Sequence, residues 1–359
     1  MKLGILTFHS AHNYGAVWQA FGLQEYLKRL GHEVYVIDYR PEYITYCYPK
    51  DGSVFWKNKS LLGSFNGLYN YYAHSDIRHR RWDYFENFIT SRLNLYPYRT
   101  GMDFHEFDAV FIGSDQVWSK ALTGGKYDPL FFGKGVSCKT IAYAPSSTTL
   151  SLTGEDKDFL KNSLDNFYAI SVREGSLQRT FQPFTKNNIA VVVDPTLLAG
   201  RRCFDSMASN VLRKRPYVLV YEICGHQEVY KVAKKMAKKL GADLVELTNG
   251  MRLYHRHSMM EDATPEDFVS LFKNAACVLT TSFHGTVFSL LFDTPFYTVL
   301  QGTAADNRMV FLLSSLNMKD RTIALGKMVE DVKPLAKDTQ ERIKALVKPS
   351  EEYISTSLL

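Results

Sequence analysis

KLGILTFHSAHNYGAVWQAFGLQEYLKRLGHEVYVID, residues 2–38, decides the fold class. Leu3 to Phe8 is a short apolar run suited to a buried parallel strand, and from Ala16 the period changes. Ala16, Ala20, Leu23, Leu27 and Leu30 recur along one helical face, and Gly31 stands where a helix ends. Val34 to Ile37 then supplies a second strand. Strand, helix and strand in this order make a βαβ unit and imply a parallel sheet.

Downstream of this unit the rhythm breaks over about 41–98. Tyr43, Tyr46, Tyr48, Phe55, Trp56, Tyr69, Tyr71 and Tyr72 cluster there, ahead of a helix predicted over 76–92. Alternation resumes with strands over 109–112, 140–143, 169–172 and 190–193. A second series opens with a strand over 217–221. The helix after it places Val229, Val232, Ala233, Met236, Ala237 and Leu240 on one face, and Lys231, Lys234, Lys235, Lys238 and Lys239 on the other. Thr264-Pro265-Glu266-Asp267 is a capping box with proline at the first helical position. Further elements follow over 277–280, 285–292 and 296–300. The pattern predicts an α/β protein of two tandem Rossmann-like parallel-sheet domains with a cleft between them. Residues 1–205 form the first domain with its Tyr-rich insertion, and residues 206–325 the second. Residues 326–359 form a helical tail that packs back on the first domain.

Length supports this division, because 359 residues exceed one typical core. The formal charge is 43 − 37 = +6, too small for this length to mark a nucleic-acid binder. The lysine face reads as a solvated surface, with peripheral contact to an anionic membrane as its alternative. No apolar stretch approaches the ~18 residues of a membrane span, and the apolar start is too short for a signal peptide. Cys47, Cys138, Cys203, Cys224 and Cys277 contain no CxxC pair, which argues against a disulfide framework or a zinc site and for the cytoplasm. Asp156-Lys157-Asp158 falls behind Thr153 in the first turn of a helix, where acidic residues suit the dipole, so no metal is expected. The first turn is not GxGxxG, and no nicotinamide or flavin cofactor is expected.

Open parallel sheets bind ligands beyond the carboxyl ends of their strands. Four strand-to-helix turns therefore hold the candidates. His9-Ser10-Ala11-His12-Asn13-Tyr14-Gly15 is either a capped turn or a ligand contact through Asn13. Gly113-Ser114-Asp115-Gln116-Val117-Trp118-Ser119 suits a sugar held by hydrogen bonds and stacking, or else an Asx-type turn with a core tryptophan. Arg173, closing the strand over 169–172, suits phosphate or carboxylate capture, or pairs with Glu174 on the surface. Thr280-Thr281-Ser282-Phe283-His284-Gly285-Thr286 places a histidine where a buried strand becomes a helix, a position for proton transfer near neutral pH.

Together these turns resemble the polysaccharide pyruvyl transferase family. The likeness rests on Gly4-Ile5-Leu6-Thr7, Asn13-Tyr14-Gly15-Ala16, Phe111 to Trp118, Ser171-Val172-Arg173-Glu174, Asp194-Pro195-Thr196 and Ser282-Phe283-His284-Gly285. It implies a fold similar to the GT-B glycosyltransferases. It also implies transfer of pyruvate from phosphoenolpyruvate (PEP) onto two hydroxyls of a glycan sugar, forming a cyclic ketal without cofactor or metal. The acceptor implied is a polysaccharide or lipid-linked glycan of exopolysaccharide and cell-envelope biosynthesis, met at the inner face of the membrane. By the resemblance His284 matches a catalytic position and Arg173 a donor-binding one. Many members carry arginine two residues before the histidine, where this chain has Ser282; Arg308 is then the candidate for the missing charge. Ser282, Gly285 and Asn13 complete the expected donor set, and Ser114, Asp115, Gln116 and Trp118 the acceptor set. Two other functions fit the same residues: glycosyl transfer from a nucleotide sugar, and non-catalytic glycan binding.

Overall fold

The computed structural model describes residues 1–48, 50, 75–148, 150–210, 213–223, 225–248, 259–329 and 331–359. In the first domain β1 (Lys2–Leu6), β2 (Glu33–Ile37), β3 (Leu95–Tyr96), β4 (Ala109–Ile112), β5 (Lys139–Ala142), β6 (Ala169–Val172) and β7 (Ile189–Val191) form one sheet. Its order is β3-β2-β1-β4-β5-β6-β7, and every pairing is parallel. The second sheet contains β8 (Tyr217–Glu222), β9 (Asp243–Thr248), β10 (Met259–Met260), β11 (Cys277–Thr280), β12 (Phe296–Leu300) and β13 (Thr322–Ala324). Its order, β10-β9-β8-β11-β12-β13, repeats the same plan, again all parallel. The fold is thus the expected pair of doubly wound α/β domains. In each, strand order reverses beside the first strand, at β1/β4 and at β8/β11, and ligand crevices form at such points.

The helix Tyr14–Arg29 shows how the domains are joined. The sequence predicts one apolar face, yet its residues are buried almost all round, because the second domain covers the face turned from the first sheet. Tyr14 donates from its hydroxyl to Ala263 O at 2.8 Å, and the Trp18 indole donates to Pro265 O at 3.1 Å. The Tyr14 ring also stacks on Phe268 with centroids 4.9 Å apart. Leu30 ends beyond the helix as its C-cap and is exposed rather than part of the face.

A second link is the helix Thr339–Leu358. Tyr353 donates to Ala142 O at 2.8 Å and Ser350 Oγ accepts from Val193 N at 2.9 Å, both on the first domain. Gln340 donates to Leu290 O on the second at 2.9 Å. The helix begins at Thr339, and none of the described residues between 326 and 338 is helical. In the helix Gln227–Leu240 the apolar side from Val229 to Ala237 is buried and all five lysines are exposed. Of the Tyr-rich insertion, Tyr43, Tyr46 and Tyr48 are described, whereas Phe55, Trp56, Tyr69, Tyr71 and Tyr72 lie outside the described residues. Among the described residues no helix is long and apolar enough to cross a membrane.

Candidate active site

Between the carboxyl ends of the two sheets lies a cleft of about 410 Å³. Asn13, Asp115 and Gln116 line it from the first domain, and Ser282, His284 and Arg308 from the second. Capping explains two of these placements. Asn13 ends the loop after β1, and its side chain accepts from Gly15 N at 2.9 Å, starting the helix Tyr14–Arg29. Ser282 does the same for the helix Phe283–Leu291, accepting from Gly285 N at 3.4 Å. His284 therefore sits in a first helical turn directly after β11. Gly15 faces it from the other domain: a Cβ built on Gly15 would overlap the imidazole ring. Two helix starts, one from each domain, meet at this histidine.

Behind the histidine is Asp194, almost wholly buried beyond the end of β7. One carboxylate oxygen caps the helix Pro195–Ala199, accepting from Thr196 N at 2.9 Å and Thr196 Oγ1 at 2.6 Å. The other accepts from Arg173 Nη1 at 2.6 Å and lies 3.6 Å from His284 Nε2. Burial opposes ionisation of Asp194, but His284, Arg173 and the Thr196 bonds outweigh it and hold the carboxyl far below its usual range. The carboxylate thereby ties a cation of the first domain to an imidazole of the second.

The same region holds charged atoms in ion pairs too long for hydrogen bonds: Arg173 Nε lies 3.8 Å from Glu174 Oε2, both buried, and His284 Nε2 3.6 Å from Asp194. Arg173 Nε and Nη2, Arg308 Nε, His284 Nε2 and Glu174 Oε2 are buried and have no hydrogen-bond partner within the described protein. Such groups are uncommon in folded proteins and cost stability, so five in one region mark a place built for a ligand or for function. Arg173 and Arg308 both lie over the Phe283 ring, at 4.4 and 5.9 Å from its centroid. Burial, and then the charge of Arg173, push the Arg308 guanidinium down to about 10, a sign that the cations are crowded. Burial pushes the Glu174 carboxyl up, while Ser146 Oγ and Ser147 N donate to one of its oxygens at 2.8 and 3.1 Å. Two arginines beside an imidazole suit a small anion that must be bound and then protonated.

The sequence-based candidates divide as follows. Asn13, Asp115, Gln116, Ser282, His284 and Arg308 come together on the cleft wall. Arg173 joins them through Asp194 and Phe283 while lining a smaller cavity of about 230 Å³ beyond Phe283. Gly285 is corrected: its N–H is taken by Ser282, and a Cβ there would overlap Thr280 Oγ1, so the residue serves close packing. Ser114 is corrected as well, being fully buried with its hydroxyl donating to Ala144 O at 2.8 Å. Trp118 is also removed from the acceptor set. Its indole donates to Phe131 O at 2.7 Å and its ring stacks between Phe132 and Phe181 in the core, out of reach of a sugar. Asp156 is used in a capping box with Thr153 and pairs with Lys120 at 2.5 Å. Asp194 was not among the expected site residues. Its local signal, an Asp-Pro-Thr helix start after a strand, predicts a cap and gives no hint of Arg173 or His284.

In comparisons with known proteins, the sequence model of the polysaccharide pyruvyl transferase family matches residues 13–301. No curated protein matches the chain by sequence. Similar solved structures include UDP-N-acetylglucosamine 2-epimerase from Rickettsia bellii, 8% identical with a TM-score of 0.49, covering 99% of this chain and 96% of that one. UDP-GlcNAc 2-epimerase from Neisseria meningitidis bound to UDP-GlcNAc is 12% identical, with a TM-score of 0.47 and coverage of 99% and 94%. The Streptomyces sp. SF2575 glycosyltransferase SsfS6, complexed with thymidine diphosphate, is 13% identical, with a TM-score of 0.37 and coverage of 98% and 96%. With the family match spanning most of both domains and the cleft residues from Asn13 to His284, this chain belongs to the polysaccharide pyruvyl transferase family and is a transferase.

Proposed function

We propose that the protein transfers the pyruvyl group of PEP to two hydroxyls of a glycan sugar, forming a cyclic ketal and releasing inorganic phosphate. The observation that carries this reading is the grouping of Arg173, Arg308 and His284 around Asp194 and Phe283, each with a buried nitrogen that makes no hydrogen bond within the described protein. PEP carries a carboxylate and a phosphate, which two guanidinium groups match by charge-assisted hydrogen bonds.

In the proposed reaction the imidazolium of His284 gives a proton to the methylene carbon of PEP. The carbon bearing phosphate becomes oxocarbenium-like, and a sugar hydroxyl adds to it, returning its proton to His284. The C–O bond to phosphate then breaks, and a second hydroxyl closes the ketal while its proton leaves with the phosphate. One hydroxyl proton thus ends in the new methyl group and the other on phosphate. Asp194 stabilises the charged imidazole, and the arginines stabilise the departing phosphate. Asp115 and Gln116, on the opposite wall, are the proposed contacts for the acceptor hydroxyls.

The reading is tested by incubating the protein with PEP and a pool of cell-envelope glycans, then following phosphate release and glycan mass. Glycan-dependent phosphate release with a pyruvyl ketal on the product supports it. Transfer of a sugar from a nucleotide donor in the same assay, with PEP inert, would replace it.

A further inference from the structure

Beside the cleft the first domain carries a second groove, of about 450 Å³. Tyr48 lines both, so the two adjoin at its side chain. The groove is built from the loop after β1, the segment after β2, and the helix Ser75–Arg92, which contribute His12, Arg40 and the pair Trp82 and Glu86.

Its charges are held in a fixed ladder. Arg40 Nε donates to Asp38 at 2.6 Å, and Nη1 donates to both oxygens of Glu86 at 2.9 Å each. Glu86 also lies 2.9 Å from His12 Nε2, and Asp38 lies 2.9 Å from His9 Nε2. Two carboxylates share the Arg40 guanidinium, and Lys50, which also lines the groove, donates to Asp83 at 2.7 Å, so neither lining cation is left without a countercharge to capture an anion. That sets it apart from the Arg173–Arg308 end of the cleft. What it does offer is hydrogen-bonding capacity: Arg40 Nη2, the Trp82 indole N–H and the Tyr48 hydroxyl have no hydrogen-bond partner among the described residues. Trp82 and Tyr48 are also both partly exposed beside those donors, with the exposed Lys50 ammonium 4.4 Å from the Trp82 ring centroid, where an incoming ligand would displace it.

Immobilised donors and acceptors next to aromatic side chains, with both lining cations already paired, suit a ligand with many hydroxyls and apolar C–H faces. We propose that this groove is a subsite for neutral sugars of an oligosaccharide acceptor, holding the chain so that its next sugar reaches His284 past Tyr48. The proposal rests on the pyruvyl-transfer reading for its direction, while the groove's chemistry is independent of the donor.

The test is binding to an array of neutral oligosaccharides, followed by titration calorimetry with the best glycan, using the full chain. Trp82→Ala is expected to weaken binding about tenfold or more, as loss of an aromatic anchor does. Tyr48→Phe keeps the ring and its packing, and losing one neutral hydrogen bond is expected to weaken binding by about two- to tenfold. Failure of the wild type to bind any neutral glycan overturns the proposal, as does unchanged affinity in both folded groove variants. PEP stabilisation, measured on the same samples, reports separately on the donor reading, so the two can fail independently.

Discussion

Gly15 and His284 meet across the domain boundary with no room between them for a methyl group. The first helix of one domain and a helix start of the other converge there, on the residue proposed to move the proton. The absence of a side chain at position 15 is therefore part of the site's geometry.

Gly15→Ala separates two opposing effects. Alanine gains about 1 kcal/mol over glycine within a helix, whereas overpacking a tight contact costs roughly 1–3 kcal/mol. The overlap with the imidazole makes the second effect win, so the variant should melt lower and lose most of its turnover. Calorimetric melting and an activity assay check this together; a higher melting temperature with full activity would mean that the two residues do not touch.

Asp194→Asn should destabilise the protein by about 3–5 kcal/mol at neutral pH, because it takes from buried Arg173 its closest countercharge and leaves only Glu174 at 3.8 Å. The sign of the pH dependence follows from the depressed carboxyl. Its contribution is fully present above the ordinary carboxylate pKa of about 4 and is lost as the pH falls through the lower folded value. Wild type and variant should therefore converge in acid. A stability difference that does not change with pH would show that folding leaves the Asp194 carboxyl's pKa where it is in the unfolded chain.

The opening βαβ unit of the first domain is legible in residues 2–38, because the apolar period changes from strand to helix and back within one window. β9 is not, since Asp243 and Glu246 interrupt its apolar residues even though Glu246 is buried. β3, β10 and β13 are two or three residues long and too short to show a period. At the site, His284 stands out as a polar residue between a buried strand and a helix. Asp194 does not, because its importance comes from Arg173 on β6's end and from a helix of the other domain. Trp118 misleads for a related reason: Gly113 to Ser119 cannot show which way an indole points, and Phe132 and Phe181, which take it into the core, lie elsewhere in the chain.

Trp118→Ala accordingly tests core against acceptor binding. Removing a buried tryptophan costs about 3–5 kcal/mol, so the variant should unfold at much lower denaturant. A stable variant whose defect is confined to the acceptor KM would return Trp118 to the binding surface.

Arg308→Ala should weaken PEP binding while leaving the Arg173–Asp194 pair in place. A hydrogen bond to a charged group contributes roughly 1.5–3 kcal/mol, equivalent to about ten- to 150-fold in Kd. Titration with PEP and with glycan on the same preparation decides it. Equal losses for both ligands would point to a structural arginine.

The proposed donor site is tested most directly by the heat stability of the protein with PEP, compared with uridine and guanosine diphosphate sugars. At 100 times its Kd a ligand adds about 2.7 kcal/mol of stability, enough to shift the melting temperature measurably. The predicted result is a shift with millimolar PEP that survives His284→Ala and is strongly reduced in Arg308→Ala, with no shift from the nucleotide sugars. A clear shift with a nucleotide sugar and none with PEP would contradict the pyruvyl-transfer account.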